Sequence, residues 1–158
     1  MLCGLGLRDG APVAFAAQTG KANTAAGYRT ANRLLALANN LRIPVLTLVD
    51  TPGAASDAQA EREGIGTAIQ QTLVAISNST SPVTTLVIGE GGSGGALALC
   101  APGHTWITPD AYFSVISPEG AAAILHRDID QAPTVADRLR ITPKDAVDLG
   151  LAVGVVNP

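Results

Sequence analysis

The chain has 158 residues, with 10 basic against 13 acidic side chains and a net charge of −3. This near balance argues against a nucleic-acid-binding protein, and no apolar run is long enough to span a bilayer. Apolar residues make up 47% of the chain and aromatic ones only 3%, so we expect a single domain over residues 1–158 with a core of small side chains.

The first ten residues lack the basic start and apolar stretch of a signal peptide. Cys3 and Cys100 follow neither a metal-ligand spacing nor a disulfide framework, so we expect two reduced thiols. These features predict a cytoplasmic protein that holds no metal in this chain.

The first elements alternate between strand and helix periodicity. Two short strands are predicted in residues 2–17 around the turn at residues 8–12. Residues 18–27 are small and polar, which predicts an exposed, mobile loop. A helix is then expected from Tyr28 to Leu41, because apolar residues recur there at helical spacing and Pro44 follows.

The middle of the chain predicts a parallel sheet. Residues 43–50 form a nearly continuous apolar strand that ends in the sequence AspThrProGly at 50–53. A charged segment at 57–64 opens a second helix that runs to about Ser77, and residues 83–88 predict another buried strand. This alternation favours parallel strands joined by right-handed crossovers.

Five glycines within the seven residues 89–95 dominate the centre of the chain. Such a run indicates close approach of the backbone to another group, and three interpretations remain open. Gly89, Gly91 and Gly94 match the dinucleotide fingerprint G-x-G-x-x-G. Backbone N–H groups could instead form an oxyanion hole, or the run could serve only the packing of a strand against a helix.

The remaining elements are shorter. A buried helix is predicted at residues 96–101, strands at 104–107 and 112–116, and a final strand at 151–156. Ser117 and Thr142, each followed by proline, predict the N-caps of two further helices, and Gly150 predicts the end of the second one.

No conventional catalytic set emerges from the side chains. His104 and His126 lack acidic or nucleophilic neighbours at a telling spacing, which indicates structural or surface residues. Ser93 does not fit the nucleophile elbow, and Asp50 could either pair with Glu90 as acid and base or cap the next loop. Two backbone-rich loops, at the ends of adjacent strands, could instead supply facing N–H groups for an oxyanion.

Four motifs carry a family resemblance. They are GlyTyrArg at 27–29, AspThrProGlyAla at 50–54, GlyGluGlyGlySerGlyGlyAla at 89–96 and TyrPheSerValIleSerProGluGly at 112–120. In this order they closely resemble the carboxyltransferase α-subunit family of acetyl-CoA carboxylase. The resemblance implies an α/β crotonase-like fold, a spiral of ββα units with a mostly parallel sheet.

The resemblance also implies an activity. It is the transfer of a carboxyl group from carboxybiotin, held on a biotin carboxyl carrier protein, to the α-carbon of an acyl-CoA, as in malonyl-CoA formation for fatty acid biosynthesis. A β-type carboxyltransferase subunit is expected to anchor the thioester within an oligomer. No protein base is required in this family, because biotin itself can take the α-proton.

The site residues follow from matching these motifs. Backbone donors to the biotin carbonyl are expected at Gly94, Gly95 and Ala96, and a methyl group added at Gly95 is expected to block the approaching carbonyl. The substrate-binding positions are expected at Pro52, Gly53, Gly91 and Gly92.

Departures from the family pattern keep two alternatives open. Ala55, Ser56 and Asp57 replace an aromatic residue and a Pro-Gly pair, so the loop at 54–58 is shorter than in the family. The chain could therefore be a non-catalytic scaffold subunit, or, through the glycine fingerprint, an NAD-binding Rossmann protein. Association is expected through residues 121–125 and 134–149.

Overall fold

The computed structural model describes residues 1–157 and is built on a six-stranded sheet. Its strand order is β1-β2-β3-β4-β5, and β6 also pairs with β4. β1 and β2 form an antiparallel hairpin, whereas all the other pairings are parallel. The strands are β1 (Leu2–Arg8), β2 (Ala11–Ala17), β3 (Val45–Thr51), β4 (Val83–Gly92), β5 (Thr105–Ile107) and β6 (Tyr112–Ser114).

Helices connect the parallel strands. They are α1 (Ala25–Leu41), α2 (Ala58–Arg62), α3 (Ile65–Ser77), α4 (Ser93–Leu97), α5 (Pro118–His126), α6 (Ala132–Leu139) and α7 (Pro143–Asp148). α1 joins β2 to β3, α2 and α3 join β3 to β4, and α4 joins β4 to β5, which confirms the predicted alternation. Within residues 1–157, none of these helices is long and apolar enough to cross a membrane.

Side-chain caps fix where several helices begin. Ser117 accepts a hydrogen bond from the N–H of Gly120 at 3.1 Å, as its position before proline predicted. Thr142 accepts one from the N–H of Asp145 at 3.2 Å, and the Asp145 carboxylate accepts the N–H of Thr142 in return. These reciprocal bonds satisfy donors that a helix start leaves unpaired, and the hydrogen bond from Thr142 lowers the pKa of Asp145.

The core is built from small residues, as the composition predicted. Alternate residues of β3 are buried, because successive side chains of a strand point to opposite faces. Alanines at 14, 16, 31 and 38 and the fully buried Leu35 pack in the same cluster. Tyr28 is the one large aromatic side chain that is fully buried among residues 1–157.

The prediction of an exposed loop at residues 18–27 is confirmed for residues 19–22, which are exposed and lie outside helices and strands, but is wrong at Gln18, Asn23 and residues 25–27. Gln18 and Asn23 are both only 3% exposed, and α1 already begins at Ala25. Both polar side chains donate hydrogen bonds inside the molecule, Gln18 to a backbone carbonyl and Asn23 to the hydroxyl of Thr51. Polar composition therefore indicated exposure where these side chains serve instead as internal hydrogen-bond donors.

Other boundaries also differ from the predictions. β4 continues through the first glycines to Gly92, so the glycine run is partly strand. The helix predicted at 96–101 begins earlier, at Ser93, and ends at Leu97. The predicted helix at 57–77 breaks at Gly64, which has a φ of 73°. The segment 151–156 forms one isolated bridge, between Val155 and Ile107, rather than a strand.

Two buried threonines, one in β3 and one in β4, hydrogen-bond to the backbone that follows α4. Thr47 and Thr85 have their hydroxyl oxygens 2.7 Å apart, and both hydroxyls lie within hydrogen-bond distance of the Leu99 carbonyl. The Thr85 hydroxyl also accepts the N–H of Ala101 at 2.8 Å. The backbone that follows α4 is thus held by side chains of the sheet.

We expect Thr85→Val to lower the free energy of unfolding by about 1–3 kcal/mol, because it leaves the buried Ala101 N–H without its acceptor. Urea denaturation measures this change. Thr84→Val is the matched control, since Thr84 is exposed on the opposite face of the same strand, and it should change stability by less than about 0.5 kcal/mol. Equal effects of the two substitutions would contradict this account of the buried hydroxyl.

Candidate functional site

The ends of β3 and β4 bring the two predicted loops into direct contact. Thr51 pairs with Gly91 across the sheet after a shift in register. A Cβ atom on Gly92 would overlap the carbonyl group of Pro52, and one on Gly91 would lie 2.6 Å from the Phe113 ring. Gly91 and Gly92 are therefore required by close packing of the backbone, which no larger residue would permit.

Gly95 continues this contact between the loops. A Cβ atom there would lie 2.5 Å from the backbone nitrogen of Ala54 and 2.8 Å from the hydroxyl of Tyr28. The expectation that a methyl group at Gly95 would block an approaching ligand is therefore wrong. The methyl group would point into the protein and clash with fixed backbone atoms.

The three predicted backbone donors differ in access. Gly94 is exposed, and a Cβ atom on it would have no neighbour within 4 Å. Gly95 is buried, and Ala96 is 0% exposed. Gly94 is thus the member of this set that lies at an open surface.

The facing loop is organised internally by Thr51. The N–H of Gly53 donates to the Thr51 hydroxyl at 3.1 Å, and the Gly53 carbonyl accepts the N–H of Asn23 at the same distance. Gly53 has a φ of 141°, a conformation that favours glycine. Pro52 is exposed and, as a proline, has no N–H. This loop therefore shapes the site by contact, while its Gly53 N–H is engaged within the loop.

A cavity of about 340 Å³ opens beside the glycine run. Its lining combines the two loops with β6 and the start of α5, and consists of Pro52, Glu90, Gly92, Ser93, Tyr112, Ser114, Val115, Ile116 and Ser117. Ser93, which sequence analysis set aside as a nucleophile, has a φ of 57° and is exposed at the rim. This geometry exposes backbone and hydroxyl groups to one small space.

Glu90 is the acidic residue in the lining of this cavity, and Asp50 lies beside it. The Asp50 carboxylate accepts the N–H of Glu90 in the neighbouring strand β4 at 3.2 Å, rather than an N–H of the loop that follows Asp50. Burial, followed by the neighbouring Glu90 carboxylate, raises the pKa of Tyr112 to about 12. Tyr112 is therefore a neutral hydroxyl that carries its proton at physiological pH.

Neither histidine belongs to this site. His104 and His126 are both exposed, as predicted for surface residues, and neither lines the cavity. Sequence reasoning did not find Gln18, Tyr28 or Tyr112, although the last two fall inside motifs that carried the resemblance. Their contacts link segments far apart in the chain, which no local pattern reveals.

Comparison with known proteins places these features in a family. A family model described as acetyl co-enzyme A carboxylase carboxyltransferase-like matches residues 15–158. The chain is 47% identical over 130 residues to the acetyl-coenzyme A carboxylase carboxyl transferase subunit alpha of Deinococcus radiodurans, and 48% identical over 131 residues to that of Bordetella pertussis. These matches cover 82% and 83% of this chain but only 41% of each relative.

Solved structures agree on the fold. A transcarboxylase 12S crystal structure, with methylmalonyl-coenzyme A and methylmalonic acid bound, matches 99% of this chain and 33% of its own, with a TM-score of 0.89 and 25% identity. The beta subunit of Pseudomonas aeruginosa geranyl-CoA carboxylase matches 98% of this chain and 33% of its own, with a TM-score of 0.85 and 22% identity.

The predicted crotonase-like α/β fold with a mostly parallel sheet is therefore confirmed. Because the family model spans nearly the whole chain, the chain belongs to the acetyl co-enzyme A carboxylase carboxyltransferase-like family.

Proposed function

We propose that this chain is an α-type carboxyltransferase domain over residues 1–158, which acts in the cytoplasm. In this proposal it takes part in transferring the carboxyl group of carboxybiotin to the α-carbon of acetyl-CoA, which forms malonyl-CoA for fatty acid biosynthesis. One observation carries the proposal. The glycine run that matches the family motif contributes Gly92 and Ser93 to a cavity, and the next residue, Gly94, is exposed with open space around it, so that the backbone there is open to a ligand.

The donor set fits a ureido carbonyl of biotin. Backbone N–H groups of Gly94, Gly95 and Ala96 are proposed to donate to that oxygen, with Gly94 at the open end of the set. Biotin supplies the carboxyl group and can accept the α-proton, so the chain needs no side-chain base. Preorganised N–H donors stabilise negative charge that develops on oxygen in the transition state.

The proposed substrate-binding residues, Pro52, Gly53, Gly91 and Gly92, determine the shape of the cavity. The lack of a side chain at Gly92 lets the loop of Pro52 and Gly53 lie against the end of β4, and the lack of one at Gly91 lets Tyr112 and Phe113 of β6 lie against it from another side. The exposed ring of Pro52 and the hydroxyl of Tyr112 are proposed to contact the bound group. A CoA thioester would then be presented to this side by the partner subunit.

An apolar surface around α5 supports the presence of a partner. Val115, Ile124, Leu125 and Ile129 are 78%, 72%, 69% and 59% exposed. Exposed apolar groups of this size, when close together, mark interaction sites. Within the predicted segment 121–125, however, Ala121 and Ala122 are buried in the cluster with Val135. We propose that this surface binds a β-type carboxyltransferase subunit, and that the biotin carboxyl carrier protein approaches the assembled site.

A scaffold subunit without activity is the second candidate. It is favoured by the Gly53 N–H, which is already engaged by Thr51, and by the complete burial of Ala96. In that case the chain would keep the fold and the partner surface while the site lacked donors.

The two candidates predict different turnover. We expect the chain, assembled with a β-type subunit, to decarboxylate malonyl-CoA in the presence of a biotin analogue. A coupled assay of acetyl-CoA release measures the rate, and size-exclusion chromatography confirms the complex. An intact complex without turnover would contradict the catalytic proposal and support the scaffold.

Two glycine substitutions distinguish ligand access at Gly94 from backbone packing at Gly95. Gly94→Ala should lower turnover at least tenfold, which corresponds to about 1.4 kcal/mol in the barrier, because its methyl group takes up open space above the donors. Its melting temperature should not fall. Gly95→Ala should instead destabilise the fold by about 1–3 kcal/mol through overpacking.

The matched control is Gly66→Ala. Gly66 lies in the first turn of α3, and a Cβ atom there has no neighbour within 4 Å. Like Gly94 it is an exposed helical glycine, so this substitution should keep full turnover and raise stability slightly. Thermal unfolding measures the stability of the three variants, and steady-state kinetics measures their turnover. Wild-type turnover in Gly94→Ala would show that no ligand approaches that position.

A further inference from the structure

The carbonyl oxygen of Gly95 accepts two hydrogen bonds from distant parts of the chain. The Gln18 side-chain amide donates to it at 3.0 Å, and the Tyr28 hydroxyl donates at 2.9 Å. Gln18 is 3% exposed and Tyr28 is 0% exposed. One backbone oxygen at the glycine run thus has two buried side-chain donors, one from the end of β2 and one from α1.

The short helix α4 cannot fix its own conformation well. It has five residues, and only a few intrahelical hydrogen bonds are available to so short a helix. Beyond it the N–H of Leu99 donates to the Ala96 carbonyl, which tightens the last turn. The Gly95 carbonyl is held instead by Gln18 and Tyr28. The conformation of this glycine-rich segment is therefore set by side chains outside it.

We propose that Gln18 and Tyr28 are positioning residues for carboxyl transfer, an inference that rests on the proposed function of the glycine run. A peptide group is planar. A fixed Gly95 oxygen therefore also fixes the direction of the Ala96 N–H, which belongs to the same peptide group. Glycine has unusual freedom about φ and ψ, and the two donors remove that freedom at the centre of the proposed donor set. They touch no reacting atom themselves.

The chemistry of both side chains suits this role. Burial raises the pKa of Tyr28 well above its ordinary value, so its hydroxyl remains a donor at any physiological pH. The second polar atom of Gln18, its Oε1, is buried and has no hydrogen-bond partner within residues 1–157. Such an unpaired acceptor costs stability. The stability of the fold alone would therefore favour a side chain at position 18 without this oxygen.

The same segment also holds the facing loop. The Asn23 side-chain amide donates to the Thr51 hydroxyl at 3.0 Å, and the Ala55 N–H donates to the Asn23 carbonyl at 2.9 Å. Residues 18–28 thus hydrogen-bond both to the loop after β3 and to the glycine run. Within this segment, Gln18 and Tyr28 donate to the glycine run.

The test compares Gln18→Met and Tyr28→Phe with the wild-type chain, each assembled with a β-type subunit. Both substitutions keep the size of the side chain and remove one donor. We expect kcat to fall about tenfold in each, while KM for malonyl-CoA stays within about twofold, since a positioning defect acts on the transition state. In Gln18→Met the unpaired acceptor also disappears, so the free energy of unfolding should stay equal or rise while kcat falls.

Thr72→Val is the matched control. The Thr72 hydroxyl is likewise fully buried and donates to a backbone carbonyl, that of Ala68 at 2.8 Å, but within α3. It should retain wild-type kcat. A kcat within twofold of wild type for Gln18→Met and Tyr28→Phe would overturn the proposal, as would a loss that simply follows the unfolded fraction.

A readout without activity separates this inference from the proposed function. Amide hydrogen exchange of the buried Gly95 and Ala96, resolved by NMR, should accelerate at least tenfold in Gln18→Met and Tyr28→Phe but not in Thr72→Val. Unchanged exchange overturns the positioning role. Faster exchange in an assembly whose wild-type form shows no turnover supports the positioning role and contradicts the proposed function.

Discussion

The contact between two backbone loops, made without any side chain between them, is the constraint on which the site depends. Gly92 lies against the carbonyl of Pro52, and Gly95 lies against the peptide that joins Gly53 to Ala54. This contact places residues 52–54, which follow β3, closer to residues 92–95 than ordinary side chains would allow. The cavity beside it, the exposure of Gly94 and the burial of Gly95 all follow from how these segments meet.

Much of this arrangement was predictable because it is local. The alternation of apolar strands and helices indicated a parallel sheet, and Ser117 and Thr142 indicated two helix starts correctly. The glycine run also indicated close backbone approach, although β4 continues through its first half. Capping and periodicity depend on a few neighbouring residues, so a sequence pattern carries them well.

The parts that were missed depend on contacts across the chain. Residues 18–27 have the composition of a loop, yet Gln18 bonds to a carbonyl 77 positions away. The direction of a Cβ atom at Gly95 depends on where Ala54 lies in space. Similarly, the Asp50 carboxylate accepts the N–H of Glu90 in the neighbouring strand, a bond that depends on the distance between the two strands. Tertiary contacts of this kind leave no periodic trace.

If the proposed site is made from peptide groups, the role of the side chains around it is to hold the backbone. Backbone N–H groups cannot be tuned by substitution, so their effectiveness depends on being held rigidly in one orientation. Gln18 and Thr51 then matter through the backbone carbonyls to which they donate, and Asn23 matters through the Thr51 hydroxyl that it holds. The Gly53 N–H is already engaged in that network. In the proposed function the Gly53 N–H therefore cannot serve as an oxyanion donor, which agrees with the proposal that another subunit completes the site.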